Sequence, residues 1–250
     1  MTKIDSRREN LAGIYGKHIM TYNLYLFDLD GTLTDPKIGI TKSYQYALAA
    51  FGIHEEPDNL TKFIGPPLRE IFSFYGFSGS DTEKAVAKFR EYYTDKGLFE
   101  NVVYPGVPEI LDKLKNNGLI MAVVTSKVTI YANRILEHFN LNEYFSLVLG
   151  DTMDGSLTKS GKSGLIITAL ETLKKPRMLP VMVGDRLHDI LGARDAGIDS
   201  IGVTWGYGTP DELKRAGATW IVNKPSELCD RHLVWRENLT FSRQKHSSQV

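Results

Sequence analysis

Five short apolar runs constrain this chain most: LYLF (24–27), LIMAVVT (119–125), FSLVLG (145–150), LPVMVGD (179–185) and SIGVTWG (200–206). Each is continuously apolar rather than alternating, which implies strands buried on both faces and hence a parallel sheet. Helical patterns lie between them. GVPEILDKLKNNG places Ile110, Leu111 and Leu114 on one face and stops at Asn117-Gly118. ANRILEHFN, KSGLIITALETLKK and HDILGARDAG follow the next three strands. Strand then helix, repeated, predicts a doubly wound, Rossmann-like α/β sheet with right-handed crossovers.

The alternation breaks once, between Phe27 and Leu119. TKSYQYALAAFG, PPLREIFSFYG and DTEKAVAKFREYYTDKG fill that gap with helical patterns. The expectation is a helical cap over 36–104, inserted after the first strand into a core formed by 21–35 and 105–229. Residues 1–20 read as an N-terminal extension and 230–250 as a polar tail. Lys+Arg and Asp+Glu both number 30, so the formal charge is zero and a general electrostatic grip on nucleic acid or anionic membrane is not expected. One cysteine, Cys229, permits no intramolecular disulfide. With no signal-peptide core and no run long enough to span a bilayer, the expected location is cytoplasmic. The oligomeric state stays open.

In sheets of this type ligands sit at the carboxyl ends of the strands. The first strand ends in Asp28-Leu29-Asp30-Gly31-Thr32 and the second in Thr125-Ser126-Lys127. The fourth ends in Gly184-Asp185, with Asp189 close behind, and Lys162 opens the helix after the third. Carboxylates packed this closely repel unless a cation or a reaction offsets the repulsion. Hard oxygen donors without His or Cys suit Mg²⁺. Asp28 can then attack phosphorus, and Asp30 can act as general acid and then base, its pKa pushed upward by neighbouring carboxylates. Thr125 and Lys162 would hold phosphoryl oxygens, and Gly31 would let backbone N–H groups approach them.

Three rivals fit less well. A calcium loop counted from Asp28 would need glycine and glutamate where Leu33 and Gly39 stand. A P-loop at SLTKSGKS has Ser156 at its first glycine position and no strand directly before it. A phospho-acceptor signalling domain needs an isolated aspartate at a middle strand end, and the chain has no suitable one there. A non-catalytic binding domain is the remaining reading from that class.

Taken in order, DLDGT, VVTSK, a downstream lysine and VGDRLHD resemble the four motifs of haloacid dehalogenase superfamily phosphatases. FIGPPLREIF and NVVYPGVPEIL are similar to the phosphoglycolate phosphatase branch. The resemblance implies Asp28 as nucleophile and Asp30 as acid/base. It implies a metal site from Asp28, the Asp30 carbonyl and Asp185, supported by Asp189. It implies a phosphate-binding set of Gly31, Thr32, Thr125, Ser126 and Lys162. SLTKSGKSGLI offers both Lys159 and Lys162, and Lys162 is chosen because it opens the helix. The implied substrate is a small phosphomonoester: phosphoglycolate, with cap residue Arg69 taking its second anion, or else a nucleoside 5′-monophosphate stacked by Phe72, Phe74 or Tyr75.

Overall fold

The computed structural model describes residues 22–65, 68–157, 161–174 and 176–229. The expected extension and tail, and Lys159, lie outside the described residues.

Six parallel strands form the core sheet: β1 (Leu24–Phe27), β4 (Ile120–Val128), β5 (Val148–Asp151), β6 (Pro180–Gly184), β7 (Asp199–Val203) and β8 (Trp220–Val222). Their spatial order is β5-β4-β1-β6-β7-β8. The chain thus starts in the middle, builds outward one way and then the other, and leaves a switch point beside β1. The continuous apolarity of the runs is explained by two separate cores. Leu24, Leu26, Ala122, Val124 and Met182 pack on one face against Leu165, Ile166 and Ala169 of α7 (Lys162–Leu173). Tyr25, Phe27, Met121, Val123, Val181 and Val183 belong to the other core. That core takes in Ile110, Leu111 and Leu114 of α5 (Val107–Asn116) and Ile135 and Leu136 of α6 (Thr129–His138).

Strand β8 has no counterpart in the sequence reading. Three residues are too few to carry a period, and only the pairing of Ile201, Gly202 and Val203 with Trp220, Ile221 and Val222 defines it.

The helical insertion leaves and returns through one two-stranded ribbon, β2 (Thr34–Asp35) against β3 (Val102–Val103), paired Thr34↔Val103 and Asp35↔Val102. Between them lie α1 (Lys37–Ala49), α2 (Pro57–Leu60), α3 (Leu68–Phe74) and α4 (Gly79–Tyr92), the last running into a π turn at Tyr93–Gly97. This cap has an aromatic interior. The Tyr44 ring meets Phe63, Phe72 and Phe89 at centroid distances of 6.2, 5.9 and 4.7 Å. Guanidinium groups tie it to the sheet domain. Arg186 donates to the Ile64 carbonyl at 3.2 Å, Arg90 to Met153 at 2.8 Å, and Arg134 to Thr94 at 3.3 Å. Among the described residues no helix is long and apolar enough to cross a membrane.

Candidate active site

The first motif is a tight loop that folds on itself. The Asp28 N–H donates to the Val183 carbonyl at 2.9 Å, which fixes the end of β1 against β6. The Leu33 and Thr34 N–H groups both donate to the Leu29 carbonyl, at 2.9 and 3.0 Å, and the buried Leu29 and Leu33 side chains anchor the turn. Gly31 has φ +86°, and a Cβ there would stand 2.3 Å from Asp185 Oδ2. Both facts exclude an L side chain. The Gly31 N–H itself donates to the Thr34 carbonyl at 2.8 Å and closes the loop. The missing Cβ makes room for Asp185. Thr32 is also turned inward, its hydroxyl 3.4 Å from Asp185 Oδ1.

Asp28, Asp185 and Asp189 each offer a carboxylate oxygen within 4.8 Å of the others. Asp185 follows β6. Asp189 lies in the first turn of α8 (Leu187–Asp195), where it accepts the Arg186 N–H at 3.0 Å and so caps the helix as well. Lys162, the first residue of α7, reaches between them. Its Nζ lies 2.9 Å from Asp28 Oδ1 and donates to Asp189. The Asp28 contact is an ion pair without hydrogen-bond geometry, so this buried oxygen has no hydrogen-bond partner. Burial pushes the Asp185 carboxyl up to about 8, with Asp189 and Asp28 adding to the effect. Burial raises Asp189 too, against the opposing pull of Lys162. Burial alone would lower the Lys162 ammonium; Asp189 and Asp28 outweigh it and hold the group above its ordinary value. Three carboxyl groups share one ammonium, and the raised Asp185 value is how the cluster, without a cation, avoids carrying the excess negative charge.

Asp30 sits apart from that trio. Its Oδ2 is 2.8 Å from Lys127 Nζ, and its Oδ1 is buried without a hydrogen-bond partner. Its carboxyl is raised chiefly by burial, and Lys127 opposes the rise. The neighbouring Asp28, which the sequence reading made the cause, contributes less than either.

Thr125 is buried within β4, three residues before its end, its hydroxyl accepting the Lys127 N–H at 3.2 Å, and Ser126 is exposed. Arg69 is not brought into the cluster. Its guanidinium makes a two-pronged pair with Glu83, both bonds 2.9 Å, on the exposed surface of the cap. Phe72 is wholly buried cap core, Tyr75 donates to Glu55 at 3.3 Å, and Phe74 is 67% exposed.

Sequence reasoning left several site-forming residues unassigned. Lys127 stands two positions beyond Thr125 on the same strand, and that spacing was a usable signal. Trp205 donates its indole N–H to the Thr32 carbonyl at 3.0 Å and braces the first loop. The Tyr207 N–H donates to Asp185 Oδ2 at 2.7 Å. Gly206 beside it has no room for a side chain: a Cβ would lie 2.2 Å from the Gly31 carbonyl oxygen. Nothing in the WGYG segment alone marks it as the wall of an acid cluster.

The acids gather at the switch point of a parallel α/β sheet beside an inserted helical cap. Residues 25–203 match the haloacid dehalogenase-like hydrolase family. A protein of Pseudomonas aeruginosa named 5′-nucleotidase is 43% identical over 213 residues, 84% of this chain and 92% of that protein. Tyrosine-protein kinase PtkA of Mycobacterium tuberculosis is 37% identical over 80% of this chain and 68% of its own length. Phosphoglycolate phosphatase of Aquifex aeolicus is 32% identical over 84% of this chain and 97% of its own. The crystal structure of a predicted phosphatase from Clostridium acetobutylicum superposes with a TM-score of 0.76 at 45% identity, covering 83% of this chain and 96% of that one. The chain belongs to the haloacid dehalogenase-like hydrolases, and within them to the phosphatases of the phosphoglycolate phosphatase-like branch.

Proposed function

We propose that this phosphatase hydrolyses small phosphomonoesters with Mg²⁺ through an aspartyl phosphate on Asp28. The observation that carries the reading is the buried trio of Asp28, Asp185 and Asp189 around an Asp28 oxygen with no hydrogen bond. Hard oxygens with excess negative charge are the donor set of Mg²⁺. Asp28, Asp185 and the Asp30 carbonyl would hold the ion, with Asp189 supporting them. When bound, the ion neutralises phosphoryl charge and fixes its orientation. The chain's own groups carry the steps. The Asp28 carboxylate attacks phosphorus, the bond from phosphorus to the leaving oxygen breaks, and Asp30 gives that oxygen a proton. Asp30 then takes a proton from water as the water attacks the same phosphorus, which releases inorganic phosphate and restores Asp28. Lys162 and Thr125 receive the phosphoryl oxygens, with Ser126 at the outer edge. Gly31 and Thr32 shape the turn.

Phosphoglycolate and a nucleoside 5′-monophosphate are the two candidate substrates, in line with relatives named phosphoglycolate phosphatase and 5′-nucleotidase. The case for phosphoglycolate used Arg69 to hold a second anion, and Arg69 is committed to Glu83. The relative named 5′-nucleotidase is 43% identical against 32% for the one named phosphoglycolate phosphatase, and that weighs toward a nucleoside 5′-monophosphate. Phosphate release is measured from p-nitrophenyl phosphate, phosphoglycolate and nucleoside 5′-monophosphates, with and without Mg²⁺. The expected result is Mg²⁺-dependent release, with the highest kcat/KM on a nucleoside 5′-monophosphate. Release unaffected by EDTA would overturn the metal assignment, and a preference for phosphoglycolate would reverse the substrate assignment.

A further inference from the structure

The roles above leave one polar chain at the cap–sheet boundary unused. It runs from Asp30 through Lys127 to Tyr93. Lys127 Nζ lies 2.8 Å from Asp30 Oδ2, with the Lys127 side chain 7% exposed. The same ammonium donates to the Tyr93 hydroxyl and stands 4.8 Å from the centre of the Tyr93 ring. Lys127 belongs to the sheet and Tyr93 to the cap.

Two irregularities in the backbone put these groups together. Along β4, Thr125 and Lys127 lie where the strand is irregular, the Lys127 N–H donating to the Thr125 hydroxyl at 3.2 Å. The register against β5 then shifts between Val124 and Val128. Such shifts re-aim side chains beside active sites. On the cap side, α4 widens into the π turn at Tyr93, closed by the Leu98 N–H donating to the Tyr93 carbonyl at 2.8 Å. Single π turns inside helices are rare and concentrate at functional sites. The Tyr93 ring stacks on Phe89 of the cap at 5.4 Å and meets Tyr131 of α6 edge-on at 5.9 Å, so both domains fix it.

We propose that Lys127 and Tyr93 are positioning residues that orient the Asp30 carboxyl group so that, when protonated, it gives its proton to the leaving group with the cap seated on the sheet. The inference rests on the phosphatase reading, with Asp30 as acid/base. Lys127 occupies Oδ2 and leaves Oδ1, buried and without a hydrogen-bond partner, to serve the reaction. A lysine stem has four rotatable carbons and does not hold one geometry by itself. Tyr93 supplies the second contact, and it travels with the cap. The arginine ties between the domains end on the carbonyls of Ile64, Met153 and Thr94 and do not reach Asp30. Cap closure is thereby coupled to the orientation of a group in the sheet domain.

Leaving groups of different basicity test this. Lys127→Met and Tyr93→Phe are assayed for kcat/KM on p-nitrophenyl phosphate, whose leaving group departs without a proton, and on phenyl phosphate, whose leaving group needs one. The p-nitrophenyl to phenyl ratio is expected to widen at least about tenfold in Lys127→Met. It should widen by about threefold in Tyr93→Phe, which loses one hydrogen bond and keeps the ring. Equal losses on both substrates would mark a packing role and overturn the proposal, as would an unchanged ratio. Should Lys127→Met fail to fold, Tyr93→Phe decides alone. Failure of the underlying reading looks different. Wild-type protein without Mg²⁺-dependent phosphate release, or Asp30→Asn with an unshifted ratio, would remove the role of Asp30 and the proposal with it.

Discussion

At the sheet edge, the acids arrive on adjacent strand ends. Asp28 follows β1 and Asp185 follows β6, and the bond from the Asp28 N–H to the Val183 carbonyl, 2.9 Å, fixes one against the other. In the cap, position comes from side chains: three aromatic rings packed around Tyr44 and a π turn that aims Tyr93 at Lys127. The first arrangement is set by backbone register and tolerates no ambiguity of a residue. The second is set by packing volumes and has no fixed sequence offset. Chemistry is therefore expected to depend steeply on the edge and gradually on the cap.

The proposed roles give a graded set of outcomes. Asp28→Asn is nearly isosteric and deletes the nucleophile, so turnover should fall on the order of 10⁴-fold or more while the thermal midpoint is retained. Wild-type kcat in that variant would remove the covalent step. Asp30→Asn should lose about 10²–10⁴ in kcat, since its metal contribution is a backbone carbonyl that the substitution keeps. A change in Mg²⁺ requirement there would contradict the carbonyl assignment.

The next outcome separates the two charges that meet at Asp28. Asp185→Ala should raise the Mg²⁺ concentration for half-activity at least tenfold, on the order of the loss seen when metal-site partners are removed. Lys162→Ala should lower activity and leave that concentration nearly unchanged. Equal Mg²⁺ dependence in the pair would merge roles that are assigned separately here.

The same acid gives a pH signature. The Asp185 carboxyl rises from 3.8 to about 8 on folding without a cation. Its contribution to stability is whole below the lower value and is lost as pH climbs through the higher one. The Tm of EDTA-treated protein should fall from pH 4 toward pH 8, and Mg²⁺ should restore it most at the alkaline end. A metal-independent, flat profile would contradict the burial assigned to Asp185. The smallest effect is expected in the cap. Arg69→Ala removes an exposed pair with Glu83 and should change kcat/KM within about threefold on any phosphomonoester. A large loss confined to phosphoglycolate would return Arg69 to substrate recognition.

The contrast also explains what could be read from the chain. Continuous apolar runs gave the parallel sheet, because burial on both faces leaves that trace in any sequence. Strand ends gave Asp28, Asp30, Thr125 and Asp185, because ligand sites in such sheets follow the carboxyl edge. Lys162 was legible as a cation opening a helix, an unfavourable place for one unless an anion is near. The partner of Arg69 was not legible. A surface guanidinium pairs with whichever carboxylate the packing of α3 on α4 presents, and Glu83 carries no mark of it. The link from Lys127 to Tyr93 joins positions 34 residues apart across two domains. It depends on a π turn, which no local composition announces. The bond from the Gly31 N–H to the Thr34 carbonyl was not legible for a related reason: it depends on how the loop closes.

The covalent step on Asp28 is the claim on which the other assignments rest, and it can be trapped. The protein is mixed with substrate and Mg²⁺, quenched with borohydride to reduce any acyl phosphate, digested and mapped by mass spectrometry. Homoserine should appear at position 28, only when substrate and Mg²⁺ are both present, and in greater amount in Asp30→Asn, where the second step is slowed. Homoserine at another aspartate, or none at position 28 under conditions of steady phosphate release, would contradict the assignment of Asp28 as nucleophile.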